Sequence, residues 1–182
     1  MKKQLSLALM LVVVLSSQAQ LNWNAKEAGL QLSLIPLTAL HSTETTIIGL
    51  SLNIWGQNPQ HGVALGIVNG STGESSGFSL GALLNYADAY TGVHWGTINV
   101  SKSRFNGWQL GVFNYTGGEG KGLQSGAINI ARDFNGLQLG AINYTDRLHG
   151  LQIGAINIVT KNPWFSDPNH CAPLFPVVNW SF

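Results

Sequence analysis

Apolar and polar positions along this chain recur in short, nearly identical phrases. Between residues 107 and 158 one phrase is repeated four times: Gly107-Trp-Gln-Leu-Gly111-Val-Phe-Asn114, Gly122-Leu-Gln-Ser-Gly126-Ala-Ile-Asn129, Gly136-Leu-Gln-Leu-Gly140-Ala-Ile-Asn143 and Gly150-Leu-Gln-Ile-Gly154-Ala-Ile-Asn157. The period is 14 or 15 residues, and repetition at a fixed period decides architecture before local propensity does. Further copies begin at Gly62, Gly77 and Gly92, degenerate ones at Gly29 and Gly49, and Val177-Val178-Asn179-Trp180 repeats the close of the phrase. That makes ten segments.

Each unit predicts one extended segment of about nine or ten residues and a short turn, the size of a tilted membrane strand. Two glycines per unit and the many β-branched residues work against a helix. Strict alternation within Leu137–Tyr144 does not sort the side chains cleanly. An irregularity near Gly140-Ala141 does: it gathers Leu137, Leu139, Ile142 and Tyr144 on one face and turns Gln138 and Asn143 to the other.

Two architectures accommodate such units. A solenoid stacks them in parallel, Asn over Asn and Gly over Gly. A meander barrel runs them alternately up and down. The residue after the motif Asn is Tyr86, then Val100, Tyr115, Ile130, Tyr144, Ile158 and finally Trp180. This two-step rhythm predicts a hairpin unit, because every second strand of a barrel ends at the same membrane interface, where Tyr and Trp are favoured. The fold predicted is therefore all-β, a ten-stranded antiparallel up-and-down transmembrane β-barrel, with a β-solenoid as the alternative.

On that reading Tyr86, Tyr115, Tyr144, Trp180 and Phe182 form an interface girdle. Gln109, Asn114, Gln124, Asn129, Gln138, Asn143, Gln152 and Asn157 face the lumen. Their recurrence in every strand favours a network that fills a narrow barrel with amide hydrogen bonds over a binding site. The longest connection, Lys161 to Ala172, falls outside, and its Trp164 and Phe165 are the candidate contacts for a surface partner.

Composition adds location. Charged residues make up 9% of the 182, against about 25% in ordinary soluble domains. A net charge of +1 argues against nucleic acid, which needs a concentrated basic face. Residues 1–19 have the build of a signal peptide: Lys2 and Lys3, the apolar run Leu5 to Leu15, and the small-residue end Ser17-Gln-Ala19. Residues 20–182 then form one exported domain. Cys171 is the single cysteine, so no internal disulfide staples it.

Candidate chemistry is sparse. None of His41, His61, His94, His149 and His170 has metal-ligand spacing to another ligand type. Glu74, Asp88, Glu119, Asp133, Asp146 and Asp167 stand singly in predicted turns. No nucleophile elbow or phosphate-binding loop is present. The expectation is a non-enzymatic membrane or surface component, with a narrow or filled pore and with no catalytic, cofactor or metal residue. An exported solenoid acting as a surface binding module is the alternative, and a hydrolase using Asp167 and His170 a third.

The period-two run Leu174, Val178, Trp180, Phe182 resembles the C-terminal signal of bacterial outer-membrane barrels, although Pro176 departs from a plain strand. That resemblance implies the bacterial outer membrane as location, and its lipid and the barrel-assembly machinery as partners. Residues 29–158 also resemble a family of bacterial surface-repeat proteins built from tandem GLQxGxxN phrases. This second likeness implies a cell-surface location, an unknown surface partner and no known activity.

Overall fold

The computed structural model describes residues 26–165 and 167–182; the expected signal peptide, 1–19, lies outside them. The described residues are strand, turn, bend and short loop, with no helix among them. The strands are β1 (Glu27–Ile35), β2 (Thr38–Ala39), β3 (Thr46–Asn58), β4 (Gln60–Leu110), β5 (Phe113–Ser125), β6 (Ile128–Leu139), β7 (Ile142–Val159) and β8 (Leu174–Ser181). β4 is long because extended chain continues through three copies of the repeat and into a fourth.

Consecutive copies run in the same direction. β5 and β6 pair in parallel with Asn114 beside Asn129 and Gly122 beside Gly136. β6 and β7 repeat the register, with Asn129 beside Asn143 and Gly136 beside Gly150. The same parallel pairing joins β1 to β3, β3 to β4 and β4 to β5. The fold is a β-solenoid, in which each repeat is one coil stacked on the last.

This overturns the antiparallel barrel. The strand order β2-β1-β3-β4-β5-β6-β7-β8 is open, and its ends do not meet. The aromatic–aliphatic rhythm is real but belongs to one column: Val100 lies beside Tyr115, Tyr115 beside Ile130 and Ile130 beside Tyr144. Alternation sets the rings two coils apart, about 9–10 Å at the usual strand spacing, with an aliphatic side chain between. Two membrane rims are not needed to explain it.

Parallel stacking in register also explains the glycines. Gly136 has φ +140°, and a Cβ there would collide with the carbonyl oxygen of Gly122 one coil below. Gly140, at the bend, would collide with Gly126 O. Both positions bring backbone against backbone, where only glycine fits. Periods of 14 and 15 are reconciled by a register shift between Thr116 and Glu119, a bulge that absorbs one residue without disturbing the coil on either side.

Each end of the stack is closed by an antiparallel piece. β2 pairs back onto β1, and Gln31 fastens that end, donating to His41 O at 3.0 Å and to Asn58 Oδ1 at 2.9 Å. At the other end β8 runs antiparallel to β7. Thus the segment read as the closing strand of a barrel is a cap, and Pro176 is tolerated because it lies in the last strand of the sheet. Val177 beside it has φ +68°, strained backbone for a β-branched residue.

Candidate functional site

Bends at Gly111-Val112, Gly126-Ala127 and Gly140-Ala141 separate two apolar faces of each coil, and the strand continues from them into a third, polar side. The bend reverses the inward–outward parity, so Gln and Asn five residues apart both point inward. Asn114, Asn129, Asn143, Asn157 and Gln109, Gln124, Gln138, Gln152 are all fully buried. They line no lumen. They are the packed interior of the coils.

There they form two ladders. Asn53, Asn69, Asn85, Asn99, Asn114, Asn129 and Asn143 each donate from Nδ2 to Oδ1 of the next Asn toward the C-terminus, ending at Asn157, and the steps from Asn85 onward are all 2.8 Å. The other amide hydrogen reaches a backbone carbonyl, as from Asn129 to Leu139 O at 2.8 Å. The Gln ladder has the opposite polarity: Gln152 donates to Gln138, Gln138 to Gln124 and Gln124 to Gln109, at 2.6–2.7 Å. Such ladders satisfy buried amides only when identical residues stack in register.

The rest of the interior mixes small hydroxyl side chains such as Ser79, Ser101, Thr116 and Thr145 with apolar ones. Phe105, Gly120, Phe134 and Leu148 form one column, in which Gly120 makes room for the Phe134 ring. Where the Gln column would continue below Gln109 stands His94, which the sequence offered only as a histidine without metal-ligand spacing. It is fully buried, its ring centroid 4.1 Å from that of Tyr90 and 5.2 Å from that of Phe105. Neither ring nitrogen has a hydrogen-bond partner, nor has the Tyr90 hydroxyl. Desolvation pushes the imidazole pKa down to about 3 and raises that of the Tyr90 phenol. His94 is a neutral aromatic plug where the column changes from Gln152, Gln138, Gln124 and Gln109 to the small residues Ser79, Ala64 and Ser51.

Outside, the two faces that meet at the bend are apolar. The first carries Trp108, Leu123, Leu137, Leu151 and Trp180 in one column, and Leu110, Ser125, Leu139, Ile153 and Val178 in the next. The second carries Phe113, Ile128 and Ile142 beside the tyrosine column. Of the expected girdle, Tyr115 and Tyr144 lie in that column, and Tyr86 takes the equivalent place after Asn85. Trp180 stands instead on the first face beside Leu151, and Phe182 is exposed at the chain end. These residues form no ring because there is no barrel wall.

Between Gly62 and Ile158 charge is confined to the third side. Stacking there pairs residues distant in sequence: Lys102 with Asp88 at 2.8 Å, Arg147 with Asp133 at 2.7 Å, and Arg104 with Glu74. The Lys102 ammonium holds the Asp88 carboxyl below its usual range, and the Arg147 guanidinium does so for Asp133. A groove of about 660 Å³ runs along this side. Arg104, Glu119, Asp133 and Arg147 form one wall, Asn106, Lys121, Asn135 and His149 the other, and Phe105, Phe134 and Leu148 the floor. The sequence offered these residues singly; only the stack assembles them.

The connection after β7 folds over the C-terminal cap. Phe165 N donates to Cys171 O at 3.1 Å, and Trp180 Nε1 to Pro168 O at 3.3 Å. Trp164 and Phe165 remain exposed, and Phe165 meets the Phe175 ring edge-on at 5.7 Å. His170 Nδ1 lies 3.5 Å from Asp167 Oδ2. Cys171 is buried, which raises its thiol pKa. Among the described residues no cluster of three or more His, Cys, Asp or Glu has the arrangement of a metal site.

No protein-family model matches the chain, and neither a curated protein nor a solved structure does.

Proposed function

We propose that the chain is an exported, non-enzymatic β-solenoid that serves at the bacterial cell surface as a binding module. One observation carries this reading: the repeated Asn and Gln side chains are consumed inside the coils, so whatever the molecule contacts it contacts with its outside. A long stack of near-identical coils is a rigid display surface, as solenoids elsewhere are used. The groove on the polar side is the place where polar groups of both signs converge over an apolar floor, the usual make-up of a ligand site. Export rests on the residue pattern of positions 1–19, and surface location on the tandem GLQxGxxN likeness.

Labelling intact cells tests the display. Lys121 is exposed on the polar side. A Lys121→Cys variant carrying Cys171→Ala should react with a membrane-impermeant maleimide before lysis. Labelling that requires lysis would remove the surface assignment. The filled interior adds a second expectation: the purified chain in planar bilayers gives no stable conductance, whereas discrete channels would mean that the interior opens.

A further inference from the structure

The two outer faces of the coils are apolar along most of the stack, interrupted by Ser125 and Thr97. The first exposes Leu52, Leu80, Trp95, Trp108 and Ile153; the second exposes Ile67, Leu83, Val112, Ile142 and Ile156. Contiguous apolar patches on soluble monomers rarely exceed a few hundred Å². Here they continue coil after coil at about 4.8 Å per step, so the surface runs for tens of ångströms. Trp95 and Trp108 are 54% and 56% exposed, too open for ordinary core residues.

Charge is excluded from both faces. Between Gly62 and Ile158 there are five basic residues (Lys102, Arg104, Lys121, Arg132, Arg147) and five acidic ones (Glu74, Asp88, Glu119, Asp133, Asp146). All ten fall between the Asn of one phrase and the first Gly of the next, in the part of each coil that forms the third side. The balance of signs leaves no cationic face to select an anionic partner.

Shape says what can cover such a surface. The faces meet at the bend that recurs at Gly111-Val112, Gly126-Ala127 and Gly140-Ala141, so the apolar zone folds around a ridge. A rigid partner, including a second copy of this chain, covers one side of a ridge and leaves the other wet. Fluid hydrocarbon covers both. The margin agrees: the tyrosine column borders the polar side, and Tyr144 Oη donates to Asp146 Oδ1 at 3.0 Å. Tyr86 Oη likewise donates to Gln57 Oε1 at 3.0 Å. A ring on the apolar zone with its hydroxyl turned to polar groups is the arrangement favoured at a lipid–water boundary.

We propose that the solenoid seats its two apolar faces in the surface of a lipid layer, without spanning it, and holds the polar side and its groove toward water. The inference rests on the reading of the outer faces as the contact surface, and names lipid as what they contact.

The test uses the chain purified as its host makes it, with vesicles of phosphatidylcholine alone. It should float with the vesicles at both 0.1 M and 1 M salt, since no charge attraction is needed. Its tryptophan emission should shift to the blue and be quenched when the lipid is brominated. Trp108→Ser combined with Val112→Ser removes one exposed side chain from each face and should weaken flotation at least fivefold. Arg132→Gln, on the polar side and outside the groove wall, should float as the parent does. An unreactive Cys171 thiol in each variant verifies that it is folded. Absence of flotation by the parent overturns the proposal, whether the chain stays monomeric or buries its faces in a dimer. Flotation that salt abolishes overturns it as well. Because no cell is involved, this failure is separable from failure of surface labelling.

Discussion

At the scale of single residues the structure depends on positions that tolerate nothing else. Gly136→Ala combines a positive φ with a backbone collision, and strain of this kind costs of order 1–3 kcal/mol. Gly29, with open space where a Cβ would go, is the matched control. Urea unfolding should show a lowered midpoint for Gly136→Ala and a near-parental one for Gly29→Ala; equal midpoints would contradict the close approach. His94 gives a pH signature. Its pKa is depressed from 6.5 to about 3 by burial, so the unfolded chain binds a proton that the folded chain refuses. The stability this contributes is fully present above about pH 6.5 and is lost as pH falls toward 3. Asp88 and Asp133, held below their usual 3.8, lose theirs only lower still. Between pH 6.5 and 4.5 the decline therefore belongs to the imidazole, and His94→Phe should flatten it. A variant with the parental slope would show that the ring is not held neutral.

At the scale of the repeat, much was legible and one thing was not. The extended units, the need for a bend at Gly140-Ala141, and the grouping of Gln138 with Asn143 opposite Leu137, Leu139 and Ile142 all follow from side-chain chemistry within one unit. Direction does not, because a coil and a hairpin strand show the same local alternation. Tyr115, Ile130 and Tyr144 were read as ends of opposed strands, while they are neighbours in a single column. The informative signal was the identity of the polar residues. A hairpin sets different positions of the phrase against each other and has no use for the same Asn in every strand, whereas a parallel stack makes each amide the partner of its copy. The groove was hidden for another reason: Arg104, Glu119, Asp133 and Arg147 are ordinary turn charges until stacking sets them side by side. Breaking one rung measures the ladder. Asn129→Leu leaves Asn114 Nδ2 without its Oδ1 acceptor and Asn143 Oδ1 without its donor, which should cost about 2 kcal/mol or more and lower the urea midpoint. An unchanged midpoint would mean that the ladder contributes little.

At the scale of the whole molecule, the solenoid sorts its chemistry by side: amides and a few aromatic plugs within, aliphatic and indole side chains on two faces, charges on the third. Capping at both ends limits the stack, since an open parallel edge invites further strands. All of this depends on consecutive coils running the same way. Leu123 and Leu137 are register partners in β5 and β6 and point outward on the same face, at the roughly 4.8 Å spacing of neighbouring strands, within the Cα separation a disulfide spans. Ile128 and Leu137 are instead the pair that a hairpin between these units would oppose. Oxidising the two double-cysteine variants in a Cys171→Ala background and mapping the bridge by mass spectrometry decides between them. The account expects a bridge between positions 123 and 137 and none between 128 and 137; the reverse outcome would contradict the parallel stack.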